Sequence, residues 1–152
     1  MIKTKFNIVL VEPEIPQNTG NVARLCACAG ADLYLVGKLG FSIDSRHVKR
    51  AGLDYWDSVN IKRVESLEKL KEQFPQNDFY YLTTKSKALY TEIKFKEGDF
   101  LVFGSETRGL DEEILKTNPQ TSITIPMNEG QRSLNLSNAA AIVVYEAIRQ
   151  NA

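Results

Sequence analysis

The sequence predicts an α/β fold, a mostly parallel sheet flanked by helices. Short apolar runs of strand length alternate with segments of helix length along the whole chain. The runs are continuously apolar rather than alternating, as strands buried on both faces are. No internal repeat, low-complexity stretch or linker interrupts this order, so a single domain over residues 1–152 is expected.

The elements follow in sequence. Residues 7–11 form the first strand. A helix over 18–29 comes next, with Asn18 or Thr19 as its cap and Gly30 just past its end. Residues 33–36 make a second strand closed by Gly37. Ser66 caps a helix over 67–74, which Pro75 stops. Strands are expected at 79–83, 100–103 and 122–125, with a short helix at 111–117 and a last helix at 137–150. In that last helix Ala139, Ala140, Ala141, Ile142, Val143, Val144, Ala147 and Ile148 leave almost no polar face. A helix apolar all round is buried on more than one side. An outer helix has one side facing its own core, so a second subunit covering the other side, a homodimer, is the simplest solution.

Composition narrows the classes. A chain of 152 residues buries roughly 68–70% of its unfolded surface, enough for a core without staples. At 43% hydrophobic and 25% charged residues it is neither disordered nor fibrous. Cys26 and Cys28 lie two apart in a helix, so their side chains point roughly 200° apart and pair poorly. That argues for a reducing compartment. Residues 1–5 are polar, and the apolar run 8–11 is too short for a leader or a membrane span, so a cytoplasmic protein without membrane contact is expected. His47 is the only histidine, which excludes a His-based metal cluster or a Ser-His triad, and no metal is expected. Net charge is zero, 19 basic against 19 acidic residues. This disfavours nucleic-acid binding by the whole surface but leaves room for a local patch or a site built from two subunits.

Three segments carry chemistry. The first, Glu-Pro-Glu-Ile-Pro-Gln-Asn-Thr-Gly-Asn-Val-Ala-Arg at 12–24, leaves the first strand and enters a helix, where open α/β sheets place their sites. Asn18, Asn21 and Arg24 share one helix face there. They read either as an anion site at a helix start or as a cap and a solvated arginine. The second, Phe-Gly-Ser-Glu-Thr-Arg-Gly-Leu at 103–110, lacks the Gly-Lys-Ser/Thr ending of a triphosphate loop. Gly104 and Gly109 permit tight turns, yet turns rarely require both Glu106 and Arg108. The third, 125–138, alternates Ser133, Asn135 and Ser137 before the last helix. Capping explains Ser137 and leaves Arg132, Ser133 and Asn135 over.

In order and spacing these segments resemble the three motifs of the SPOUT superfamily of RNA methyltransferases, over about residues 7–150. Within it the chain is most similar to the TrmL-type tRNA 2′-O-methyltransferases, which modify cytidine or uridine at wobble position 34. Arg-Ala-Gly-Leu-Asp-Tyr at 50–55 and Leu-Thr-Thr-Lys at 82–85 fit that subgroup. The resemblance implies a C-terminal deep trefoil knot, a homodimer whose sites draw on both subunits, and S-adenosylmethionine as methyl donor. It implies donor-binding positions at Leu82, Thr83, Gly104, Ile125, Met127, Ser133 and Leu134. It implies catalytic positions at Asn18, Arg24, Glu106, Ser133 and Asn135.

Methyl transfer to a ribose oxygen needs the 2′-hydroxyl polarised and aligned with the methyl–sulfur bond. A guanidinium, with a pKa above ~12, makes a poor base. Arg24 is therefore expected to bind the adjacent phosphate and stabilise the developing charge, with Glu106 orienting it by a bidentate pair. Substrate contacts are expected from Arg24, Arg46, Lys49, Arg50 and Arg132, with Lys62 and Arg63 extending a basic strip across a dyad or simply lining a solvated helix face. Tyr55 and Trp56 either stack on an anticodon base or belong to the core. The implied partner is the tRNA anticodon stem-loop. The competing readings are the same chemistry on another RNA such as ribosomal RNA, a non-catalytic knotted RNA-binding module, and an unrelated doubly wound domain binding a small metabolite.

Overall fold

The computed structural model describes residues 1–43, 46, 50 and 56–152, so His47, Lys49 and Tyr55 lie outside the described residues. The strands are β1 (Asn7–Val11), β2 (Asp32–Val36), β3 (Ile61–Val64), β4 (Phe79–Leu82), β5 (Phe100–Phe103) and β6 (Ser122–Ile123). All pair in parallel, in the order β3-β2-β1-β5-β4-β6. The α-helices whose full extent is described are α1 (Pro16–Ala29), α2 (Leu67–Gln73), α3 (Glu112–Thr117) and α4 (Leu136–Gln150).

The apolar runs become strands because helices cover both faces of the sheet. Ile8 in central β1 sits between Leu33 of β2 and Leu101 of β5. On that face Ile8, Leu10, Leu35 and Phe103 pack against Val22, Ala23 and Cys26 of α1 and Ala140, Val143 and Ala147 of α4. On the other, Val9, Tyr34, Phe100 and Val102 meet Leu67 and Leu70 of α2 and Ile114 and Leu115 of α3. Burial of each such aliphatic side chain contributes about 1.5–3 kcal/mol. The chain runs outward from β1 through β2 to β3, then crosses to β4, returns as β5 and ends at β6. The order thus reverses between β1 and β5, and ligands bind at the carboxyl ends of strands beside such a reversal.

Four expectations are corrected. β3 had no counterpart in the sequence reading, because only Ile61 and Val64 of its four residues are apolar. Lys62 and Arg63 therefore lie on an edge strand, not on a helix face. The first helix begins at Pro16 with Ile15 as its N-cap and no side-chain cap, because proline fits the first helical position and moves the start forward. Asn18 and Thr19 are inside that helix and buried. The last helix starts at Leu136 and is capped by Asn135, whose Oδ1 accepts from Asn138 N at 3.2 Å and Ser137 Oγ at 2.6 Å. The last strand is short: after Ile123 only Thr124 continues, as an isolated bridge to Leu89.

Gly30 ends α1 in the left-handed conformation, as expected. Ser66 accepts from Lys69 N at 3.2 Å and caps α2. Cys26 and Cys28 are both free, one buried and one exposed. No described helix is long and apolar enough to cross a membrane. On α4, Leu136, Ala140, Val143, Val144 and Ala147 face the core, while Ile142 and Tyr145 remain 36% and 43% exposed.

Candidate active site

Three loops leave the carboxyl ends of β4, β5 and β6 and enclose a cavity of about 610 Å³, within the range of small-molecule and cofactor sites. The head of α1 closes it through Ile15 and Asn18. All seven expected donor-binding positions line it: Leu82, Thr83, Gly104, Ile125, Met127, Ser133 and Leu134. Of the expected catalytic set, Asn18, Glu106, Ser133 and Asn135 line it too, and so does Arg132. Leu82, Ile125 and Met127 are half-buried and supply apolar walls suited to a flat heterocycle, while the loops bring backbone amides and hydroxyls. Such a lining fits a nucleoside with a polar tail.

One hydrogen-bonded chain joins the three motifs. Asn135 Nδ2 donates to Asn18 Oδ1 at 3.1 Å, and Asn18 Nδ2 donates to Glu106 Oε2 at 3.2 Å. Glu106 also accepts from Glu14 N and Ile15 N, both at 2.8 Å. These donors are the unsatisfied amides at the start of α1, where a carboxylate is stabilised by the helix dipole as well. In return, Glu14 Oε1 accepts from Thr107 Oγ1 at 2.6 Å and Thr107 N at 3.2 Å. The Thr107 hydroxyl, then its amide, hold the Glu14 carboxyl below the usual carboxylate range.

The loop after β5 is folded hard upon itself. Gly109 N donates to Ser105 O at 2.9 Å, and a Cβ on Gly104 would stand 2.1 Å from Gly109 C. Only glycine fits there.

Several expected contacts fall elsewhere. Arg24 is exposed on α1, about 9 Å along the axis from Asn18, and is not among the residues that line the cavity. The bidentate pairing of Glu106 with Arg24 is replaced, since both carboxylate oxygens serve the head of α1. Arg46 and Arg50 are exposed and stand outside the cavity lining, and Lys49 lies outside the described residues. Sequence reasoning missed Glu14, Thr84, Lys85, Ser105, Thr107 and Arg108 as site residues. Of these, Thr84, Lys85, Ser105, Thr107 and Arg108 line the cavity. Their signal was present for Arg108, a charge between two turn glycines, and absent for Glu14, whose partner is 93 residues away. Among the described residues no cluster of His, Cys, Asp or Glu could hold a metal.

A six-stranded parallel sheet with a motif-lined cavity at its carboxyl ends fits an α/β methyltransferase, and the chain belongs to the SpoU rRNA methylase family, which matches residues 5–145. More narrowly, it is 49% identical over 147 residues to a tRNA (cytidine(34)-2′-O)-methyltransferase of Methylovorus glucosotrophus, covering 96% of each chain. A solved structure described as giving insight into the 2-OH methylation of C/U34 on tRNA superposes with a TM-score of 0.93 at 42% identity, covering 97% of each chain. An AdoMet-bound rRNA methyltransferase from Sinorhizobium meliloti superposes with a TM-score of 0.83 at 25% identity, over 97% of this chain and 57% of that one.

Proposed function

We propose that this chain is a tRNA (cytidine(34)/uridine(34)-2′-O)-methyltransferase. It transfers a methyl group from S-adenosylmethionine to the ribose of the wobble nucleotide in the anticodon stem-loop. The observation that carries this reading is the convergence of all three motif segments on one cavity, in a chain whose relatives at 49% identity are named tRNA (cytidine(34)-2′-O)-methyltransferase. The donor's sulfonium supplies an electrophilic methyl group.

The protein's share is positioning and charge stabilisation. Leu82, Ile125, Met127 and Leu134 hold the adenine face, and Thr83, Gly104 and Ser133 offer polar contacts to the rest of the donor. Asn18 and Asn135 fix each other beside the reacting centre. Glu106 accepts three hydrogen bonds from the head of α1, which gives it a positioning role. Arg24, with Arg46, Lys49, Arg50 and Arg132, binds RNA phosphate, and Arg24 stabilises the developing oxyanion.

The working unit in this reading is one methyltransferase domain of residues 1–152, paired as a homodimer and acting in the cytoplasm. The exposed Ile142 and Tyr145 on α4 support a second subunit over that face. Arg24, outside the cavity of its own chain, suits a substrate held between two subunits. The C-terminal segment threads a loop into a trefoil knot.

The test is methyl transfer from radiolabelled S-adenosylmethionine to tRNA from a strain lacking this gene, with the product nucleotide identified by mass spectrometry. A 2′-O-methylated pyrimidine at position 34 is expected. Incorporation into ribosomal RNA alone would move the substrate, and donor binding without incorporation would make the chain a binding module. Arg24→Ala is expected to lower transfer about 100-fold or more while donor affinity stays near wild type.

A further inference from the structure

Glu14 belongs to none of the groups that the proposed reaction uses, yet its carboxylate makes the shortest contact between the loop after β1 and the loop after β5. Its two closest bonds end on Thr107, one on the hydroxyl at 2.6 Å and one on the amide at 3.2 Å, and the Ser105 hydroxyl and the Arg108 charge add smaller attractions to the same carboxylate. Thr107 is the exposed tip of a loop whose base, Gly104 and Gly109, is fixed by backbone packing. From the base side Glu106 reaches across to the backbone of Glu14 and Ile15. The two loops thus exchange carboxylates. Glu106 secures the head of α1, and Glu14 secures the tip of the 104–109 loop.

The second half of this exchange is the exposed half. Glu14 is half-buried and Thr107 is exposed, whereas Asn18, which Glu106 holds, is buried. Glu14 is only half-buried and its main partner Thr107 is exposed, so the core does not depend on it. The wall it holds, from Gly104 to Gly109, lines the cavity throughout.

We propose that Glu14 is a positioning residue of the donor site: its carboxylate clasps Thr107 and keeps the 104–109 loop in the form that the methyl donor binds. This rests on the reading that the cavity holds S-adenosylmethionine. Hydrogen bonds to a charged acceptor are the stronger ones. Losing both, discounted for solvent exposure, is expected to weaken donor binding about tenfold.

The experiment is calorimetric titration of the full-length chain with S-adenosylmethionine, with steady-state methyl transfer measured in parallel. Glu14→Ala is expected to raise the donor Kd about tenfold, to raise KM for the donor alike, and to leave kcat at saturating donor and KM for RNA within twofold. Glu14→Gln, which keeps an acceptor oxygen, restores part of the affinity. Thr107→Val weakens donor binding and Thr107→Ser restores it. The double variant Glu14→Ala/Thr107→Val binds no worse than Glu14→Ala, because the two groups share one interaction.

A merely structural residue would instead lower the melting temperature and shift every kinetic parameter together. Donor Kd within twofold of wild type in a folded Glu14→Ala chain overturns the clasp, as do losses that multiply in the double variant. A wild-type chain that binds no S-adenosylmethionine overturns the assignment of the cavity, and the clasp with it.

Discussion

The two glycines of the 104–109 loop are required for different reasons, and the difference is measurable. At Gly104 a Cβ would meet Gly109 C at 2.1 Å and Leu110 N at 2.2 Å, all backbone that cannot turn aside. Gly104→Ala is expected to cost more than about 4 kcal/mol in urea unfolding, at the far end of single-residue effects. Gly109 has open space around it, and its φ of 70° is the only objection to a side chain. Gly109→Ala should cost about 1–2 kcal/mol, the left-handed penalty alone. The cysteines differ in the same way. Burial pushes the Cys26 thiol well up, while Cys28 is exposed. A thiol reagent should therefore label one cysteine, Cys28, in the native protein and both after unfolding. The sequence made Gly104 a site residue by resemblance only. Its steric reason is an approach of two backbone segments that no local pattern records.

At the scale of elements, legibility followed burial. β1, β2 and β5 were readable because helices on both faces demand unbroken apolar runs. β3 was unreadable because an edge strand needs apolar residues only where it touches the sheet, and Lys62 and Arg63 keep its rim polar. The start of the first helix was misplaced by two residues because a polar side chain had a better partner than its own helix. Asn18 turned to Glu106 and Asn135 and left the first helix to Pro16. The α4 face bearing Ile142 and Tyr145 gives a prediction of its own. Tyr145→Asp is expected to turn a dimer into a monomer in sedimentation velocity, with the melting temperature of the monomeric fold little changed. A wild-type chain that sediments as a monomer would show that this face needs no cover.

At the scale of the molecule, the site is a matter of topology. Its catalytic candidates Glu106 and Asn135 lie 88 and 117 residues from Asn18 in α1 and are joined to it by hydrogen bonds. The motifs were legible singly, and their meeting only through the family resemblance, because periodicity carries no information on which loops share a wall. A chain with zero net charge must also confine its attraction for RNA to a patch. Binding of an anticodon stem-loop should weaken as salt rises, and a log–log slope near zero would exclude phosphate contacts as its source. The strand order has a consequence for synthesis. β1 is paired on one side by β2, which follows it closely, and on the other by β5, whose first residue is Phe100. At ~5–20 residues per second, the central strand of the sheet waits on the order of ten seconds with one edge bare. During that interval Asn7–Val11 is an apolar strand with unpaired amides leaving the ribosome, so the nascent chain, more than the finished enzyme, is the form that a chaperone should bind.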